Sequence, residues 1–279
     1  LDVNAVNRDG YTALMMAADG GHTITATALL AAPDLDVNMV SGNGSTALSK
    51  AAEEGHTDMV TVLLAAPGLD VNAAGSGAGT ALIKAAARGH TEAVMALLAA
   101  PGLDVNAAGR DGNTALMRAA NGGHTETAAA LLAAPGLDVN AAATDGSTAL
   151  MRAANGGHTE TVAALLAAPS IDVNAVTGHG ITALMRAAHG GHTETVASLL
   201  AAPGIDVNAA ATGGSTALMR AANGGHTETV AALLAAPGID VNAALVRADG
   251  KRLTALALAE GHGHVEIASL LRARRRRSM

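Results

Sequence analysis

The chain contains no cysteine, no phenylalanine and no tryptophan, and Tyr11 is its single tyrosine. Without cysteine there is no disulfide framework, no thiol nucleophile and no cysteine-ligated zinc site. That composition fits an intracellular protein, with the cytoplasm as the expected compartment. An organelle address remains open, because the chain begins at Leu1 in the middle of a repeating unit and reads as a fragment or a processed product. No apolar run approaches the roughly 20 residues needed to span a bilayer. The lack of aromatic bulk argues against one compact globule of 279 residues, whose centre needs large side chains. A thin, elongated core can be filled by small ones. Positive charge is also scarce, with 17 Lys and Arg against 24 Asp and Glu. Five of the basic residues are Arg272, Arg274, Arg275, Arg276 and Arg277, leaving 12 for the rest of the chain. An acidic balance of this kind argues against a general nucleic-acid binder.

What the chain does have is a repeat. Thr12, Thr46, Thr80, Thr114, Thr148, Thr182 and Thr216 are spaced by 34 residues. A fixed period in this range means stacked units, each burying a face against the next. In the unit around Thr148, the threonine is placed as a helix N-cap, its oxygen accepting from a free backbone N–H. Leu150, Ala153 and Ala154 share one face of a short helix. Gly156 and Gly157 end it, since glycine reaches positive φ at little cost. Thr159 is expected to cap a second helix, with Glu160 in its first turn against the helix dipole. Val162, Leu165 and Leu166 form its apolar stripe, and Pro169 stops it. Ile171 and Val173 then alternate in an extended finger that turns near Gly180.

Three motifs in this unit carry a resemblance. The threonine opens T-A-L-M-R-A-A, Gly-His recurs at His22, His56, His90, His124, His158, His192, His226 and His264, and Asp-Val-Asn recurs from Asp2 to Asn242. In all three the chain resembles the ankyrin-repeat family, over residues 1 to 271. The departures are regular: Ala149 stands where the family has proline, Met151 where it has histidine, and one extra residue near Pro-Gly lengthens the period. The resemblance implies an all-α solenoid of stacked helix-turn-helix units with short β-hairpin-like fingers. Units are expected to begin near residues 1, 35, 69, 103, 137, 171, 205 and 239, with a basic tail over 272–279 after the last helix. The final unit is irregular, with about four extra residues between Leu245 and Arg252.

Each column of chemically interesting residues has a scaffold reading beside the functional one. Eight of the 11 histidines are the Gly-His residues. Neighbouring helix pairs lie about 8–10 Å apart, whereas zinc needs its ligands about 2 Å from one centre. No metal site is therefore expected, and the resemblance implies that these histidines tie neighbouring units by hydrogen bonds. His179 and His189 interrupt columns that are not otherwise histidine; they read as chance substitutions or as a surface pair that adjusts charge near neutral pH. Glu160 and its equivalents serve helix N-termini. The methionines at Met117, Met151, Met185 and Met219 read as packing between repeats or as a soft binding strip. No nucleophile elbow, phosphate loop or single carboxylate pair appears, so no catalytic activity and no cofactor are expected.

One column points outward to a partner. Lys50, Lys84, Arg118, Arg152, Arg186 and Arg220 each follow the core leucine by two residues. They share a side of the first helix with Asn121, Asn155, His189 and Asn223. The resemblance implies that this side lines a groove which, with the finger tips, contacts a protein. The expected function is a non-catalytic interaction scaffold or spacer that meets an acidic or extended protein surface. The alternative is a polyanion binder that uses this column and touches nucleic acid or anionic lipid through Arg272 to Arg277.

Overall fold

A computed structural model of the chain describes residues 2–75, 79–246 and 252–277. Most of the insertion expected between Leu245 and Arg252 falls on 247–251, outside the described residues. The described residues form 16 helices and two short strands, grouped into two compact units, 1–144 and 145–279.

In the first unit the helices alternate between two layers. One layer holds α1 (Ala13–Asp19), α3 (Ala47–Glu53), α5 (Ala81–Arg88) and α7 (Ala115–Gly122). The other holds α2 (Thr23–Leu30), α4 (Thr57–Leu64), α6 (Thr91–Leu98) and α8 (Thr125–Leu132). Within this unit each helix packs on its own partner and on the equivalent helix of a neighbouring repeat. The second unit repeats the plan. Its first layer is α9 (Ala149–Gly156), α11 (Ala183–Gly190), α13 (Ala217–Gly224) and α15 (Ala255–Gly261). Its second layer is α10 (Thr159–Leu166), α12 (Thr193–Leu200), α14 (Thr227–Ala235) and α16 (Val265–Arg277).

The helix starts follow from the threonine column. Thr148 is extended at φ −96°, and its hydroxyl accepts the N–H of Met151, capping α9. Thr46 goes further: Ser49 Oγ accepts the Thr46 N–H in return, which closes a capping box. The second helices differ from expectation. His158, not Thr159, stands at the N-cap of α10, without a side-chain capping bond. The histidine side chain is used elsewhere, as described below.

Leu150, Met151, Ala153 and Ala154 are buried on α9, and Val162 and Leu165 on α10. Alanines at full burial let helix backbones approach closely, while leucine and valine contribute about 1.5–3 kcal/mol per buried side chain. Leu166 is only half-buried. The methionine column is core: Met117, Met151, Met185 and Met219 are all at most 2% exposed.

The fingers are shorter than the alternation of Ile171 and Val173 implies. Asp172 to Asn174 is a turn, closed by the Asn174 N–H donating to Asp172 Oδ1 at 3.0 Å. The hairpin-like part comes after it. It is marked by single bridges at Val6 with Thr12, Ala108 with Thr114 and Ala210 with Thr216. Among the described residues only the last finger pairs as two strands, β1 (Ala244–Val246) antiparallel to β2 (Arg252–Thr254).

Within each unit asparagines of the Asp-Val-Asn turns reach into the following repeat, as Asn38, Asn72, Asn174 and Asn208 do. In the first unit, Asn72 Nδ2 donates to the Gly102 carbonyl at 2.8 Å, and its Oδ1 accepts the Asp104 N–H at 2.8 Å. In the second unit Asn174 does the same to Gly204 and Asp206. One amide thus satisfies a donor and an acceptor of the neighbouring backbone, which no smaller or acidic side chain reproduces.

The Gly-Gly-His motif joins repeats by a second route. Gly157 ends α9 at φ 69°, and a Cβ there would come 2.5 Å from His192 Nδ1. Gly156, one residue earlier, is overlain by its own repeat's His158. The two glycines therefore seat two imidazoles from successive repeats. Gly204 also has positive φ, 77°, but a Cβ there would meet nothing within 4 Å. Gly204→Ala carries the left-handed strain alone, about 1–2 kcal/mol. Gly157→Ala is expected to cost measurably more in urea unfolding, and the excess should vanish in the Gly157→Ala/His192→Ala background. Equal costs for the two glycine substitutions would contradict the packing role of the imidazole.

Candidate partner-binding surface

A first helix leaves few positions open. On α9 the residues Ala149, Leu150, Met151, Ala153 and Ala154 are buried, Arg152 is half-buried, and Asn155 and Gly156 are exposed. The same pattern holds on α7, α11 and α13, where Asn121, His189 and Asn223 are exposed. Lys50, Lys84, Arg118, Arg186 and Arg220 are half-buried like Arg152. The basic column and the Asn/His column are thus the wet stripe of the first helices.

The structure reveals something the spacing does not: most of the column is already ion-paired, in two ways. The two lysines bind back to the preceding repeat. Lys50 Nζ lies 2.8 Å from Asp19 and 5.6 Å from the centre of the Tyr11 ring. Lys84 Nζ lies 2.8 Å from Glu53 and 2.9 Å from Ser45 Oγ. Asp19 and Glu53 stand where later repeats carry Asn121, Asn155, His189 and Asn223. Two arginines bind instead to their own finger. Arg118 is 2.6 Å from Asp111, and Arg152 is 3.3 Å from Asp145.

These pairs set the local titration. The hydrogen bond that the Lys50 ammonium donates to Asp19 holds it above its ordinary value, against partial burial. Burial pushes the Glu53 carboxyl up, but Lys84, Lys50 and Arg88 together hold it below the ordinary value. Asp111 and Asp145 are likewise lowered on balance. Burial opposes this, while turn hydrogen bonds at Asn113 and Ser147 drive it, with the charge of Arg118 at Asp111 and those of Arg152 and Arg186 at Asp145.

The column changes at Arg186 and Arg220. Their fingers carry His179 and Gly213 at the position of Asp111 and Asp145, and the preceding first helices carry Asn155 and His189 at the position of Asp19 and Glu53. Among the described residues no carboxylate lies within ion-pair distance of either arginine. This difference was legible in the sequence, by comparing the residue three before each capping threonine: Asp111, Asp145, His179, Gly213.

The repeated histidines hold the stack together. His90 Nε2 donates to the Glu53 carbonyl at 3.0 Å, His192 Nε2 to Asn155 at 3.1 Å and His226 Nε2 to His189 at 3.0 Å. Each bond supplies an acceptor's partner near the end of the preceding first helix, where carbonyls lack intrahelical donors. A hydroxyl ladder on the second helices escaped the sequence reading. Thr159 and Thr195 Oγ1 lie 2.8 Å apart, as do Thr193 and Thr229, while Thr161, Thr195 and Thr229 are fully buried. Its signal was the repeated Thr-Glu-Thr.

Two other features fall outside this surface. An apolar cleft of about 630 Å³ between α10 and α12 is lined by Leu166, Ile171, Val173 and Pro203, with Ser198 its only hydroxyl. It offers no ionisable group for acid-base chemistry. The arginine run does not follow the last helix as expected, because α16 continues through it to Arg277. Arg272 pairs with Glu260 at 2.5 Å. Successive residues on a helix point about 100° apart, so Arg274, Arg275 and Arg276 cannot all face one flat anionic surface. Among the described residues no helix is long and apolar enough to cross a membrane.

The geometry agrees with comparison to known families. The family model for ankyrin repeats, built from three copies, matches residues 1–75, 73–143, 135–211 and 210–276. The chain belongs to the ankyrin-repeat family. No curated protein matches it. Ankyrin repeats are in general protein–protein interaction modules, which places the chain among interaction scaffolds.

The ion pairs lead to a pH dependence with opposite signs at the two ends. Glu53 stabilises the fold fully above its ordinary value of 4.5 and loses that contribution as pH falls through its lower folded value. Lys50 stabilises below its ordinary value of 10.5 and loses that contribution as pH rises through its higher folded value. Urea unfolding across pH should show a shallower acid limb for Glu53→Gln and a shallower alkaline limb for Lys50→Met. Unchanged limbs would mean that the pairs contribute nothing in solution.

Proposed function

We propose that the chain binds a protein partner through the wet stripe of its first helices and the adjoining finger tips, and that the partner presents an acidic or extended surface. One observation carries this reading. On α3, α7, α9, α11 and α13 every position is buried except the Lys/Arg column, the column three residues on (Glu53, Asn121, Asn155, His189 and Asn223) and, on the last four, the glycine beside it. The side chains that reach solvent there are therefore Lys50, Lys84, Arg118, Arg152, Arg186 and Arg220, with Asn121, Asn155, His189 and Asn223. Interface energy usually concentrates in Trp, Tyr and Arg. With one tyrosine and no tryptophan, the chain must rely on arginine. The near-identity of the repeats favours an extended partner over one compact epitope. We place the repeats at 1–271 and a basic C-terminal segment at 272–279, of which 272–277 belong to α16.

The test uses the tagged chain as bait in a lysate of its native source, with captured proteins identified by mass spectrometry. The Arg118→Gln/Arg152→Gln/Arg186→Gln variant should lose the captured set while keeping its helical signal, with only the small fall in Tm expected from losing the partly exposed Arg118–Asp111 and Arg152–Asp145 pairs. Capture should also weaken with salt, as the Debye length shrinks to about 3 Å at 1 M. Equal capture by parent and variant would move the contact to the finger tips or the second-helix face. Capture of nucleic acid or anionic lipid in place of protein would favour the polyanion reading.

A further inference from the structure

The column is not uniform, and its departure from uniformity lies wholly within the second unit. Arg152 has its finger carboxylate, Asp145, at 3.3 Å. Arg186, on the next first helix, has His179 in that finger position, and Arg220 has Gly213. Neither has a carboxylate within ion-pair distance among the described residues. The helices α11 and α13 that carry them pack directly on each other. Two half-buried guanidiniums on neighbouring helices therefore feel each other's charge next to the neutral positions Asn155 and His189, and Asp145, beyond ion-pair distance, feels the charge of Arg186. Arg220 Nε is buried with no hydrogen-bond partner. Arg152 Nε is buried in the same way, but that guanidinium reaches Asp145 through Nη2, an outlet Arg220 lacks.

We propose that Arg186 and Arg220 form a paired-arginine clamp for two carboxylates of an acidic peptide segment on the protein partner. This rests on the reading of the first-helix stripe as the partner surface and narrows it to one end of that stripe. The chemistry follows from the donors. A guanidinium offers a planar fork that matches a carboxylate with two parallel N–H···O bonds. An unpaired, half-buried guanidinium next to a like charge gains most from such an acceptor. Burial, with Arg186 beside it, already holds the Arg220 guanidinium below its ordinary value, so a bound carboxylate relieves both penalties. The spacing follows from the stack. Packed helices lie about 8–10 Å apart, and an extended chain advances about 3.3 Å per residue. Carboxylates three residues apart on an extended peptide therefore match the two arginines. At Lys50, Lys84, Arg118 and Arg152 the peptide must compete with a carboxylate already in place.

Isothermal titration of the full chain tests this, with a short capped peptide carrying Glu at every third position as the probe. Its Gln counterpart, inorganic phosphate, a DNA duplex and phosphatidylserine vesicles serve as comparisons. The Glu peptide should bind the parent and the Gln peptide should not. Arg186→Gln/Arg220→Gln should weaken binding about tenfold or more. Arg118→Gln/Arg152→Gln should weaken it several-fold less, because those guanidiniums are already engaged. His179→Asp leaves both arginines intact and restores the finger carboxylate beside Arg186, so it should also weaken binding; circular dichroism would confirm that it folds. Failure of the parent to bind the Glu peptide, or tighter binding of phosphate, DNA or vesicles, overturns the proposal. Equal losses from the two arginine pairs overturn the clamp but leave the general stripe reading standing. Retention of native-partner capture by all variants overturns both.

Discussion

Everything in this structure depends on the contact between one repeat and the next. A pair of eight-residue helices has too little core to hold itself together, and stability along a stack comes from neighbour interfaces. Three ties make the interface specific: the asparagine amide bridging successive turns, the imidazole laid across the preceding glycine and bonded to a carbonyl near it, and the alanine-lined contact between first helices. Each tie needs a particular residue. The amide needs both a donor and an acceptor, the imidazole needs a glycine beneath it, and close helix approach needs alanine. The repeat is strict because the interface is strict.

That constraint separates scaffold from function. A residue fixed in every unit by the interface is not free to specialise for a partner. The Gly-His histidines look like a metal-rich column, yet they are spent one by one on backbone carbonyls. The methionines look like a soft contact strip, yet they are core. What the interface leaves open is narrow: the position held by Lys or Arg on six of the first helices, the position one turn beyond it, and the turn of the finger. It is in these positions that the units differ.

The sequence made the fold legible because its signals are local and repeated. Thr148 as a cap, Gly157 as a stop and Leu150 as core each follow from a few neighbouring residues, and each recurs unit after unit. Where reading failed, the cause was competition between two local choices or an interaction across repeats. Thr159 could cap its helix, but His158 occupies the cap and Thr159 turns its hydroxyl to Thr195 in the neighbouring helix. Ile171 and Val173 alternate as in a strand, but the Asp172 carboxylate accepts the Asn174 backbone N–H and closes a turn there. The arginine run reads as a tail because charge repulsion disfavours a helix. Continuity with Leu270 and Leu271, which pack against the preceding layer, carries the helix through. The candidate surface was half legible. The basic column was visible as a column, but its pairing with Asp19, Glu53, Asp111 and Asp145 spans different offsets and emerges only from the packing.

The claim that stability resides between repeats is tested most directly by hydrogen exchange on His90→Ala. His90 belongs to the repeat of α5 and α6, and its imidazole is bonded to Glu53 and seated on Gly55 of the preceding repeat. If the interface governs, amides of α3 and α4 should lose protection along with those of α6. Loss confined to α5 and α6, with α3 and α4 protected as in the parent, would mean that each repeat holds itself and that the account is wrong.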